Sequence, residues 1–424
     1  MIRSGWWRRV DRAGGGLWAD LSLYGAGAVF ALVTAAASTL APHQAWGRIA
    51  APVYAVAAAC VVVQLARRGP WSAPPARAAL AALTWIGTTL VPLVAQAVQR
   101  SAGNPARAQE EVPVVEDGGR RLVETGTPYL SQDVIAGLPP VEWLVSYLPY
   151  QPGMALFGLP RAVAGDLWWS DARISFLLVT AIAVGAALWL LREAPATTLV
   201  RAGQAVAALP ICALTLATGG DDLPVLGLCL LAMALLATGR VTAAGLAIGV
   251  AGSLKLLAAP VIVVLAVTVM ARHRARLWRF LAGAVLLPAF VIVPALVVDA
   301  GALVDNVIRF PSGDGLVTSP ARSPLPGHLI ASAVPGGRAL AVAALGVAAV
   351  SIAALLWRRP PRDAAQAAAV CAWGLLAAIV LMPATRFGYL LYPAVLALWV
   401  PALAGAACRV TPPGGRPASA ALAR

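Results

Sequence analysis

Residues 221–271 read "DDLPVLGLCLLAMALLATGRVTAAGLAIGVAGSLKLLAAPVIVVLAVTVMA". Four side chains in this run are charged: Asp221, Asp222, Arg240 and Lys255. Three apolar segments, 222–238, 241–254 and 256–271, are separated only by a short arginine turn and by one lysine. Their residues do not alternate polar with apolar, so they do not suit a barrel strand. A helix satisfies its own backbone hydrogen bonds and is the remaining way to bury such segments in lipid. The two segments that meet at Lys255 are short for a bilayer core, and we expect a hairpin that does not cross fully.

The pattern extends outward along the chain. Sixty per cent of the 424 residues are hydrophobic and 12% are charged, against about 25% charged for an ordinary soluble domain. Further apolar runs lie at about 20–41, 48–66, 77–98, 173–192, 199–217, 277–298, 338–357, 364–383 and 387–407. The expected fold is all-α and polytopic, with about twelve transmembrane helices. The basic, glycine-rich start leads into a run too long for a cleavable signal core. Cys60, Cys212, Cys229, Cys371 and Cys408 lie in or at the end of apolar runs, which suggests neither a disulfide framework nor a zinc site.

Charge sets the orientation, because Lys and Arg accumulate on the cytoplasmic side. With the N-terminus inside, the inner segments hold 20 of the 32 basic residues, and 14 of the 18 acidic residues fall outside. The net charge of +14 thus follows membrane topology, and no basic stripe interleaved with aromatics points to nucleic acid. The expected division is a cytoplasmic tail (1–19), three helices (20–98), an outer loop with an acidic motif and interfacial helices (99–172), helices including the short pair at Lys255 (173–298), a second outer loop carrying interfacial segments (299–337), three last helices (338–407) and a cytoplasmic tail (408–424). Both termini are expected inside a plasma membrane, with the working site on the outer face. Loops of this length are commonly functional.

The first outer loop holds the densest acid, "QEEVPVVEDGG" at 109–119. From Pro113 the segment reads as an amphipathic helix with Val114, Gly118 and Leu122 on one face, Val115 and Val123 beside it. Glu116 and Asp117 have arginines four positions on, at 120 and 121, and read as a solvated face of i,i+4 pairs. Glu110 and Glu111 lack such partners. Each reads either as a helix N-terminal carboxylate or as a base for a substrate hydroxyl. In "YLPYQPGMALFGLP" (147–160), Tyr147 and Tyr150 either anchor the loop or stack on a sugar.

Asp221 and Asp222 open a helix, where one acid would serve as a cap; the second is a candidate to face the site or, as a pair, a cation. Lys255 is the only lysine, and an intramembrane charge is a functional candidate by default; it either binds a phosphate or snorkels to the surface. Arg309, Arg322 and His328 read as outer basic groups expected to lack a local acidic i,i+4 partner, and Arg386 starts the last span on the same side. The planar fork of arginine suits phosphate, and these groups could converge with Lys255. There is no nucleotide cradle, serine elbow or paired histidine at metal spacing, so neither a cofactor nor a metal is expected.

Several segments together resemble the polytopic GT-C glycosyltransferases, most closely glycosyltransferase family 87 as found in actinobacteria. These are "EVPVVEDGGRRLVETGTPYL" (111–130), "YLPYQPGMALFGLP", "GGDDLPVLGLCLLAMALLATGRVTAAGLAIGVAGSLK" (219–255), "RFP" with "SPLPGHLI", and "PATRFGYLLYP" (383–393). The resemblance spans roughly 100–400. It implies transfer of a sugar, typically mannose, from a polyprenyl-phosphate donor to a glycan or glycolipid acceptor, among membrane lipids and without a nucleotide. It puts Glu111 in the slot of the catalytic acid, with Glu110 as the fallback, although that slot more usually holds Asp and the following Val-Tyr pair is here Val114-Val115. Two rival readings are a flippase or transporter of a lipid-linked sugar and an inactive scaffold of the same fold.

Overall fold

The computed structural model describes residues 13–67 and 69–410. Most of the two expected tails, and the Cys408 side chain, lie outside what is described. The described part is helical, without a β-strand; one isolated bridge joins Arg322 to Thr385.

All twelve apolar runs are helices, and eight of the helices are long and apolar enough to cross a membrane. In chain order we label α1 (Leu17–Ala37), α2 (Ala41–Arg67), α3 (Pro74–Ser101), α4 (Glu111–Thr125), α5 (Ala172–Leu190), α6 (Ala196–Ala207), α7 (Pro210–Thr218), α8 (Asp222–Ala237), α9 (Val241–Leu254), α10 (Ala259–Arg272), α11 (Leu277–Val304), α12 (Pro326–Ala333), α13 (Gly337–Arg358), α14 (Ala364–Leu381) and α15 (Leu391–Val410). Helices α6 and α7 form one apolar element bent by 42° where Pro210 interrupts it.

Helix α8 has 16 residues and α9 has 14, about 24 and 21 Å at 1.5 Å per residue, against a hydrocarbon core of about 30 Å. Their shortness is tolerated because protein surrounds them. Nearly every α8 side chain is buried, with α5, α9, α14 and α15 packed around it. Helix α9 lies on α11 at backbone contact, since a Cβ added to Gly249 would sit 2.1 Å from the Gly283 carbonyl oxygen. Small residues allow such an approach, which is a main source of helix association in lipid.

At the end of the bundle where α1, α3 and α6 begin, one buried carboxylate joins three helices. Asp20 accepts from Arg77 at 2.6 and 3.0 Å and from Arg201 at 2.8 Å. Both buried arginines thus have an anionic partner, as buried charges require.

The first long loop, 99–172, is folded. Helix α4 starts two residues before the expected Pro113, and Val112, Val114, Val115 and Gly118 are buried as its inner face, while Val123 is exposed. The expectation for Glu116 is overturned: it is buried rather than solvated. Arg100 holds both its oxygens, at 2.8 and 2.6 Å, the Ala172 amide donates at 3.0 Å, and Arg161 lies 3.2 Å away. Asp117 pairs with Arg120 one position short of the expected spacing, and Arg121 donates instead to the Ser146 carbonyl. Asp171 completes the knot through Arg100 and Arg173. Its burial alone would raise its carboxyl, but Arg173 and Arg100 hold it at about 2.

Candidate active site

The segment before α4 is latched to the end of α7. The Gln109 amide donates to the Thr218 carbonyl at 2.9 Å, and the Thr218 hydroxyl donates to Gln109 Oε1 at 2.7 Å. This brings Glu111 beside the turn that carries Asp221 and Asp222. Glu111 lies in the first turn of α4, where the unpaired amides favour a carboxylate. Its Oε1 is ion-paired with Arg386, and its Oε2 is buried with no hydrogen-bond partner.

Arg386 is carried on a clamped backbone. The Thr385 amide donates to the Ala321 carbonyl at 2.9 Å, the Ser323 amide to the Thr385 carbonyl at 2.9 Å, and the Phe387 amide to the Ser323 hydroxyl at 2.9 Å. His328 Nδ1 contacts the Pro383 carbonyl at 2.9 Å, and Arg322 donates to the Thr318 hydroxyl. Arg322 and His328 therefore sit in the scaffold around Arg386.

Three residues beyond Arg386, the Tyr389 ring lies 5.3 Å from Lys255 Nζ, and the Tyr150 ring lies 5.1 Å from it. Lys255 interrupts the helix between α9 and α10 in an extended conformation. The freed Leu254 carbonyl accepts from the Gln151 amide at 3.1 Å. Lys255 Nζ donates to Asp221 at 2.7 Å and to Asp222 at 2.6 Å, and Tyr392 donates to Asp222 at 2.9 Å. Two carboxylates around one ammonium leave the buried cluster with net charge −1. Burial first, and then the Asp221 charge, push the Tyr150 phenol well above the ordinary tyrosine range.

The remaining candidates stand elsewhere. Tyr147 stacks on Phe310 with ring centres 4.3 Å apart, and its hydroxyl accepts from the Leu316 amide at 3.1 Å, which joins the two long loops. Arg309 is well exposed and, contrary to the expectation that it lacks an acidic partner one turn away, pairs with Asp305 at 2.8 Å in i,i+4 spacing. Glu110 is exposed at the cap of α4. The chain thus brings together Glu111 with Arg386, and Lys255 with Asp221, Asp222 and Tyr150. Sequence reasoning missed Gln109, Tyr389 and Tyr392; the i,i+3 spacing of the two tyrosines in "RFGYLLYP" was the available signal. Among the described residues no three His, Cys, Asp or Glu side chains are grouped to hold a metal.

Beside the lysine lies an apolar cleft of about 380 Å³, lined by Gly153, Leu156, Phe157, Leu178, Leu228 and Ser253 among others. Leu156 and Leu178 are half exposed on its rim.

None of the curated proteins matches the sequence. Among solved structures, ArnT from Cupriavidus metallidurans bound to undecaprenyl phosphate is similar at 18% identity and a TM-score of 0.49, over 80% of this chain and 60% of ArnT. Its apo form is similar at 18% identity and a TM-score of 0.44, over 70% and 54%. The chain therefore spans less than two thirds of ArnT. The family model of glycosyltransferase family 87 matches residues 147–383, more than half of the chain, with Lys255 inside that range and Glu111 and Arg386 outside it. The all-α, many-helix membrane architecture and this match agree: the chain belongs to glycosyltransferase family 87.

Proposed function

We propose that the protein is a hexosyltransferase that moves a sugar, mannose by the family resemblance, from a polyprenyl-phosphate donor to a glycan or glycolipid hydroxyl. The observation that carries this reading is the buried, partnerless Oε2 of Glu111 beside a guanidinium. A buried acceptor atom without a donor is costly, by about 1–3 kcal/mol, and a substrate hydroxyl would satisfy it. Glu111 then accepts the hydroxyl proton while the oxygen attacks the anomeric carbon, and a single displacement inverts that centre. Arg386, whose side chain is 33% exposed, is the better-placed cation for the phosphate. The two carboxylates on Lys255 leave its cluster with net charge −1, which repels a phosphate, so we assign the cluster to the sugar hydroxyls, with Tyr150 against the ring. The cleft beside Lys255 suits an isoprenoid chain. The basic residues at the opposite ends of the helices support cytoplasmic termini and chemistry at the outer face of the plasma membrane.

The test is Glu111→Gln, assayed for transfer from polyprenyl-phosphate mannose to membrane glycolipid. Loss of a general base lowers the rate by about 10²–10⁴-fold. Transfer at the wild-type rate would eliminate Glu111 as the base.

A further inference from the structure

We infer that Arg386 caps the base in the resting enzyme and that the donor phosphate uncaps it, because Glu111 and the phosphate compete for one guanidinium. The inference rests on the reading of Arg386 as the phosphate ligand. Three observations carry it. The carboxylate best placed to take a proton already holds a cation on Oε1. Its second oxygen is buried without any donor, so the resting pair is incomplete. The Arg386 backbone is fixed on both sides by Ala321 and Ser323, while its side chain remains a third exposed. That side chain can exchange partners without moving a helix.

The exchange has a chemical consequence. A carboxylate beside a guanidinium is a weaker base than one without it. A phosphate anion offers the same guanidinium a bidentate partner. Donor binding therefore frees both oxygens of Glu111 and strengthens them as bases at the moment an acceptor is useful. In the transfer step the acceptor O–H proton passes to Glu111 and the acceptor oxygen bonds to the anomeric carbon. The bond from that carbon to the phosphate oxygen breaks with its electron pair left on the oxygen. The phosphate goes from one negative charge to two, and Arg386 already faces it. Release of polyprenyl phosphate and loss of the proton to water let Arg386 return to Glu111. An acceptor that arrives first finds the base capped, so the donor binds first.

The test uses undecaprenyl phosphate as the probe and measures its affinity for the purified full chain in nanodiscs. Competition predicts that Glu111→Gln, which releases Arg386, tightens binding by about tenfold, within the usual range for coupled sites. Arg386→Gln weakens binding, and in that background Glu111→Gln has no further effect. Unchanged affinity in Glu111→Gln overturns the inference, as does an equal gain with and without Arg386, which would mark simple long-range repulsion. The two readings fail separately. Tighter binding with transfer intact keeps the competition and removes Glu111 as base; lost transfer with unchanged affinity keeps the base and removes the competition.

Discussion

Arg100 and Glu116 meet fork to fork, through hydrogen bonds of 2.8 and 2.6 Å, with both side chains more than nine-tenths buried. The pair ties the end of α3 to the middle of α4, and the Ala172 amide at the start of α5 donates to the same carboxylate. Three elements thus share one anion, three residues before Gly119, where a Cβ would collide with the Gly158 backbone at 2.5 Å.

Removing one partner of a buried pair strands the other and costs about 3–5 kcal/mol. We expect Glu116→Gln to lower the melting temperature in detergent clearly, whereas Glu111→Gln, whose carboxylate is already half unsatisfied, leaves it nearly unchanged. A melting curve for Glu116→Gln that overlays the wild type would contradict the assignment of Glu116 to the scaffold.

Acid should attack the same knot. Asp171 is held at about 2, against about 3.9 for an unperturbed Asp. A carboxyl depressed on folding contributes stability that is complete above the unfolded value and is lost as pH falls through the folded one. The contribution is on the order of 2 kcal/mol. The stability gap between wild type and Asp171→Asn should be constant from neutral pH down to about 5 and shrink between about 4 and 2. A gap that stays constant across that lower window would show that the Asp171 charge is not what the arginines stabilise.

Close helix packing gives opposite expectations at two glycines. Gly249 faces the Gly283 carbonyl with no room for a Cβ, while Gly185 on α5 has nothing within 4 Å. Gly249→Ala should separate α9 from α11, lower thermal stability and reduce transfer, because Lys255 is carried at the end of α9. Gly185→Ala should be neutral or stabilising by about 0.4–1 kcal/mol, since it restricts the unfolded chain. Equal melting temperatures for the two variants would argue against backbone contact between α9 and α11.

What was legible in the sequence follows from the range of the interactions. The twelve apolar segments, and the shortness of the pair at Lys255, are properties of contiguous residues and could be read directly. The partners of Glu116 come from Arg100, Arg161 and the amide of Ala172, far outside the one-turn window that made Arg120 look like its partner. Asp221, Asp222 and Lys255 each stood out as charges in apolar surroundings. That they form one cluster depends on α8 and α9 turning back beside each other at Gly239, which local spacing does not report. The pairing of Glu111 with Arg386 spans 275 positions, and only the fold brings those residues together.

The Lys255 cluster yields an ordering of variants. Two carboxylates and a phenol surround one ammonium in a site shielded from solvent. Lys255→Met leaves two adjacent buried carboxylates with no counter-charge, which is the worst arrangement electrostatics allows there. Asp222→Asn leaves one carboxylate with the ammonium, so its charge is balanced, but it weakens the bonds to both Lys255 and Tyr392. Asp221→Asn also balances the charge and leaves the Tyr392 bond in place. Melting temperatures should therefore fall in the order Asp221→Asn, Asp222→Asn, Lys255→Met, with the last losing about 3–5 kcal/mol. Removing one of the two uncompensated charges in Lys255→Met by adding Asp221→Asn should recover part of that loss, because the repulsion between the carboxylates is gone, although each change alone destabilises. If the double variant is as unstable as the sum of the two single ones, the ammonium and the carboxylates do not act as one unit, and Lys255 is free to serve another partner.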